Sequence, residues 1–301
     1  MGSKNAVFYR MQSETFEEDP QPDLPECFRN QAYVEKLVKG LKNQKKEGRE
    51  EETPGKKPAP AADSKPPVWQ PKILFRTGLS SLASSDEFGP MMAAEADARG
   101  FFSANKRAFL GDGLPYNWSI QQRHFPTFQP IVDFVHVVEH LYEAAKAVHK
   151  EDEASRWSLY VRWASACWQG RVADVIADLV EHQSRVGPVA EGEKLPDSDP
   201  RQVIHSTLTY LRNNQSRMDY PSYRRAGLPV TSSLAESYVK QVNQRVKGTE
   251  KFWDDNERGE AILQIRAAVL CDDDRLATWI RTRPISPFSP RCRSGTLATS
   301  L

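Results

Sequence analysis

Three groups of residues have the types and spacing for chemistry. The first is Asp112, a carboxylate between two glycines in RAFLGDG. The short apolar run before it reads as a buried strand that delivers the aspartate at its carboxyl end. Open α/β sheets place metal or phosphate chemistry there, and glycines let a ligand approach the backbone. Asp beside Gly is equally the composition of an ordinary turn. The second group is Asp133, His136 and His140 in IVDFVHVVEHL. On a helix that begins near Phe134 the two histidines stand one turn apart on one face, and Asp133 sits at the helix start, favoured by the dipole. As a structural arrangement this is an N-cap with hydrogen-bonded histidines. His136, Glu139 and His140 also spell H-x-x-E-H, in which two helix histidines hold zinc and the glutamate activates water. Such a peptidase needs a further acidic ligand downstream, and the next helical stretch offers no obvious one. The third group centres on Glu236 in LPVTSSLAESYVKQ. Ser233 and Glu236 have the spacing of a capping box, and Lys240, Arg245, Lys247 and Lys251 after them make a basic face suited to phosphate contact.

The elements that must position these groups can be read from periodicity. LFRTGLSSLAS opens as a strand that runs into a loop, and EFGPMMAAEADARGFF becomes helical past Pro90 and stops at Gly100. RAFLGDG is a strand, residues Pro115 to His124 a polar and aromatic helix, and FQPIVDF a second strand. Strand, helix and strand within about thirty residues is an α/β unit. From His136 to about Leu211 the chain is helical with a period near 3.6, and Trp157, Trp163 and Trp168 are packing residues within that block. A final pair of helices follows Pro229, the second spanning RGEAILQIRAAVLCDDDRLATWI.

Six segments follow. Residues 1–41 are a leading part of the α/β core. Residues 42–70 carry Lys, Glu and Pro almost without large apolar side chains, which predicts a flexible linker. Residues 71–135 are the α/β core, 136–228 a helical insertion, 229–283 the closing helices with Glu236, and 284–301 a Pro-rich tail. Over the 301 residues, 41 Lys and Arg against 40 Asp and Glu leave a net charge of +1, which excludes the whole-chain basic footprint of a dedicated nucleic-acid binder. The four cysteines form no CxxC pair, and no apolar run has the length of a signal peptide core or a membrane span. The expected location is the cytoplasm, with no membrane partner.

Taken together, RAFLGDGLPYNWSIQQRHFP, IVDFVHVVEHL, ACWQGRV, YLRNNQSRMDYPSYRRAGLPVTSSLAES and RVKGTEKFW resemble bacterial insertion-sequence transposases of the Kra type. The resemblance runs from about Asn5 to Arg283. It implies an RNase H-like catalytic core with an all-helical insertion, a DDE triad and a two-Mg²⁺ site for cleavage and strand transfer of DNA. By it, Asp112 is the second metal-binding carboxylate, Asp133 and His136 form the D-x-x-H signature, and Glu236 is the triad glutamate. The first aspartate of that family stands on a strand in a V-D-G-G-like run that has no match here. NAVFYRM resembles a later strand, and Asp19 and Asp23 sit in a Pro-rich loop. The expectation is a core incomplete at its amino-terminal strand or strands, a truncated and catalytically impaired copy with an unpaired sheet edge. Transposon-end DNA and a second copy or a full-length transposase are the implied partners.

Overall fold

Among the described residues four strands and the helices around them make a mixed α/β fold. The computed structural model describes residues 3–47, 69–190, 192–232, 237–239, 241–242 and 256–282. β1 (Lys4–Gln12) and β2 (Lys72–Ser81) pair antiparallel, Lys4 opposite Ser81, with a bulge between Arg10 and Met11. β3 (Ala108–Gly111) and β4 (Gln129–Val132) pair in parallel across α3 (Pro115–His124), the strand–helix–strand unit that the periodicity predicts. Among the described residues these are two separate two-stranded sheets. The apolar run of β3 predicts full burial, yet all four of its residues are half-buried. One of its edges is paired with β4 and the other lines a cavity.

Before the parallel pair, α1 (Gln31–Glu47) runs into the stretch expected to be a linker. At the far end of that stretch Trp69 is buried and donates its indole N–H to Gln21. Residues 48–68 lie outside the described residues. α2 (Ser85–Ala98) begins ahead of Pro90 rather than after it. Ser84 and Glu87 close a capping box, Glu87 N–H on the Ser84 hydroxyl (3.3 Å) and Ser84 N–H on the Glu87 carboxylate (2.9 Å), and this nucleates the helix despite the proline. Gly100, at φ 69°, then ends it as expected.

The helical block comprises α4 (Phe134–Val148), α5 (Glu153–Trp168), α6 (Val172–Val186), α7 (Pro200–Asn214) and the short α8 (Tyr220–Arg225). Aspartates cap four of the five: Asp133, Asp152, Asp199 and Asp219 each accept a first-turn backbone N–H. Gly170, at φ 76°, separates α5 from α6. The stretch after residue 255 also breaks, into α9 (Asn256–Val269) and α10 (Arg275–Thr282). Asp272 and Asp273 at the break pair with Arg76 and Arg99, and Asp273 also accepts the Arg275 N–H at the start of α10. No helix among the described residues is long and apolar enough to cross a membrane.

Aromatic side chains fill the centre of the block. Phe134 meets Trp168 edge-on at 4.8 Å and Tyr220 at 5.1 Å, and Trp163 and Trp168 are fully buried. Against this cluster lies a buried charge. Arg224 has no exposed surface, stacks over Trp168 at 4.2 Å, and donates to both carboxylate oxygens of Asp19 and to the Trp168 carbonyl. Burial alone would raise the Asp19 carboxyl, but the Arg224 guanidinium outweighs it and holds the group below its usual range. The pair therefore ties the leading segment to the helical block. Asp19→Asn strands a buried guanidinium, and we expect a loss of about 3–5 kcal/mol in chemical denaturation at neutral pH. Because the folded pKa is depressed, the wild-type advantage is present above the unfolded carboxyl value and shrinks as pH falls through the folded one.

Candidate functional site

The parallel register sets the site. Gly111 lies opposite Val132, so the next residues, Asp112 and Asp133, stand at the carboxyl ends of neighbouring strands. The Asp133 N–H donates to the Gly111 carbonyl at 2.9 Å and carries the ladder one step further. Asp112 then turns the chain into α3: its Oδ1 accepts from the Leu114 N–H (3.0 Å) and the Asn117 side-chain amide (2.7 Å). The turn and the strand-end carboxylate are thus one arrangement. Gly113 is needed twice over. Its φ is +96°, and a Cβ there would lie 2.4 Å from the Tyr210 ring.

That ring belongs to α7, nearly a hundred residues away in sequence. Tyr210 donates its hydroxyl to the Asp112 carbonyl at 3.2 Å. One turn later the buried Asn214 accepts from the Trp118 indole (2.8 Å) and donates to the Tyr210 carbonyl (2.9 Å). The helical block therefore clamps the glycine turn from one side.

Asp133 is almost wholly buried and its carboxylate is saturated with donors. It accepts from the Val135 N–H (3.2 Å), the Ser232 N–H (2.9 Å), the Ser232 hydroxyl and His136 Nδ1 (2.8 Å). Burial disfavours the imidazolium of His136, but the bond to Asp133 and the negative charges of Asp133, Asp112 and Glu139 prevail and raise its pKa to about 8. His140, one turn on, stacks on Tyr210 at 3.8 Å, and Glu139 is buried.

Of the residues singled out by sequence, Asp112, Asp133 and His136 come together. Glu236, Lys240, Arg245, Lys247 and Lys251 lie outside the described residues. Sequence reasoning missed Ser232, Asn117, Tyr210 and Asn214. Tyr210 and Asn214 carried a signal, since polar residues four apart share a helix face; Ser232 carried none. Mg²⁺ asks for several oxygen donors in octahedral array. Among the described residues no group of three or more His, Cys, Asp and Glu is placed to hold a metal ion, and the Asp133 oxygens are already engaged. Comparison with protein-family models, curated proteins and solved structures finds no match to this chain.

Two expectations follow from this geometry. Gly113→Ala forces a left-handed residue with a Cβ against Tyr210, and should cost roughly 1–3 kcal/mol in thermal or denaturant unfolding; an unchanged midpoint would contradict the clamp. For His136 the folded pKa is raised, so its contribution is complete below the unfolded value of about 6.5. It fades as pH rises through about 8. The loss is on the order of 2 kcal/mol, and His136→Gln should flatten this part of the stability–pH profile.

Proposed function

We propose that this chain is the catalytic body of an insertion-sequence transposase of the Kra type, an RNase H-like domain of the DDE class that acts on phosphodiester bonds of DNA. The observation that most supports the reading is the register of β3 on β4. It brings Asp112 and the Asp133–His136 pair to the carboxyl ends of adjacent parallel strands, ahead of an all-helical block. In this reading Asp112 and Glu236 are two of the three acidic residues that hold Mg²⁺, which when bound activates the attacking oxygen and stabilises the leaving one. Asp133 is a positioning residue. Its oxygens hold the start of α4 and Ser232 together, and so fix the end of β4 beside Asp112. Lys240, Arg245, Lys247 and Lys251 supply phosphate contacts, with transposon-end DNA and a further copy of the chain or a full-length transposase as partners.

Among the described residues none of the four strands carries an aspartate that matches the first of the triad. Purified protein mixed with DNA and Mg²⁺ or Mn²⁺ is therefore expected to bind without cleaving. Retention of DNA should weaken with salt and drop when the four basic residues are replaced by glutamine, because each phosphate contact releases counterions. Cleavage abolished by Asp112→Asn would overturn the loss of activity while supporting the DDE chemistry. Failure to retain DNA at low salt would count against the whole reading.

A further inference from the structure

A cavity of about 650 Å³ lies between the two sheets, and consecutive residues line it. Every residue of β1 from Lys4 to Gln12 does so, as do Lys106 through Leu110, into and along β3. A strand that turned a face to a cavity would present alternate residues, because side chains alternate sides; one that presents all of them turns its edge. The pairing agrees. β1 is hydrogen-bonded to β2 and β3 to β4, and among the described residues neither bonds a further strand. Their remaining edges face each other across the cavity.

The direction of the two edges is also set. Lys106, just before β3, donates its ammonium to the Thr15 hydroxyl at 2.6 Å, just after β1, and Arg10 donates to the Arg99 carbonyl at 2.9 Å. The start of β3 therefore lies by the end of β1. Were the strands codirectional, Lys106 would lie near Lys4, about 30 Å of extended chain away and beyond the reach of a lysine. β1 and β3 run in opposite senses.

We propose that this slot takes an extended polypeptide segment from another chain, which hydrogen-bonds to β1 on one side and β3 on the other and joins both sheets into one. Among the described residues these two edges have no further strand to pair with, and strand addition is the chemistry that supplies partners to such backbone N–H and C=O groups. The segment must run antiparallel to one edge and parallel to the other. The lengths of the two edges call for about five to nine residues. Alternate side chains meet Phe88, Ile120, Phe125 and Phe128, all buried, so those positions are aliphatic. The inference stands on the sheet geometry and does not rest on the nuclease reading.

The test uses the full chain and a fluorescent nine-residue peptide that alternates valine and threonine between terminal lysines. Two further versions carry N-methyl groups on the valines or on the threonines. Successive N–H groups of a strand point to opposite edges, so insertion predicts saturable anisotropy that either methylation weakens at least about tenfold. Hydrogen exchange should slow together at residues 4–12 and 108–111. Absence of saturable binding would overturn the proposal. So would sensitivity to one methylated set alone, which means addition at a single edge, and so would indifference to both, which means capture of apolar side chains only.

Discussion

Much of the site geometry depends on keeping one buried carboxylate supplied with donors. A carboxylate removed from water without partners costs several kcal/mol or takes up a proton. Two parts of the chain converge to supply Asp133 with donors: the first turn of α4, through the Val135 N–H and the His136 ring, and Ser232 from a segment about a hundred residues later. Its own N–H is bonded to Gly111, and the neighbouring Phe134 N–H to Val230. Any shift of β3, α4 or the Val230–Ser232 segment breaks at least one of these bonds. The position of Asp112 relative to Asp133 is thereby fixed from outside the strands as well as by their ladder.

Elements with local signals were readable from the sequence. α3 spans the predicted residues because Pro115 supplies a ready-made first helical position, and β3 and β4 follow short apolar runs bounded by turn residues. The capping role of Asp133 was readable for the same reason. What escaped were features decided by distant partners. Asp272 and Asp273 at the break between α9 and α10 find Arg76 and Arg99, and Asp19 finds Arg224 across 205 residues. Ser232 is a serine in a loop until Asp133 approaches it. A local window cannot register such pairs, since each exists only once the rest of the chain has folded around it.

The aromatic residues show the converse case, where the residue type was informative but its partner was not. Trp168 is predicted as core, and it is, yet its indole N–H donates to the Gln21 carbonyl and its ring carries the Arg224 guanidinium. A buried tryptophan needs an acceptor for that N–H. The leading segment supplies it, along with Asp19. The same contacts therefore satisfy the core and anchor residues 19–21 against the helical block.

The two sheets are joined in a different way from the site. No hydrogen-bonded ladder links them among the described residues, but they share an apolar cluster. Phe8 of β1 and Phe109 of β3 both pack on the group formed by Ile120, Phe125 and Phe128, with Phe8 and Phe101 at 5.4 Å and Phe109 and Phe125 at 5.6 Å. Dispersion contacts of this kind are strong in sum but weakly directional, whereas a ladder fixes register residue by residue. The Asp112–Asp133 end of β3 is held by α4 and by Tyr210 and Asn214 of α7, independently of β1. Motion of the β1–β2 sheet against β3 would thus alter the cavity between them while leaving the carboxylate geometry intact.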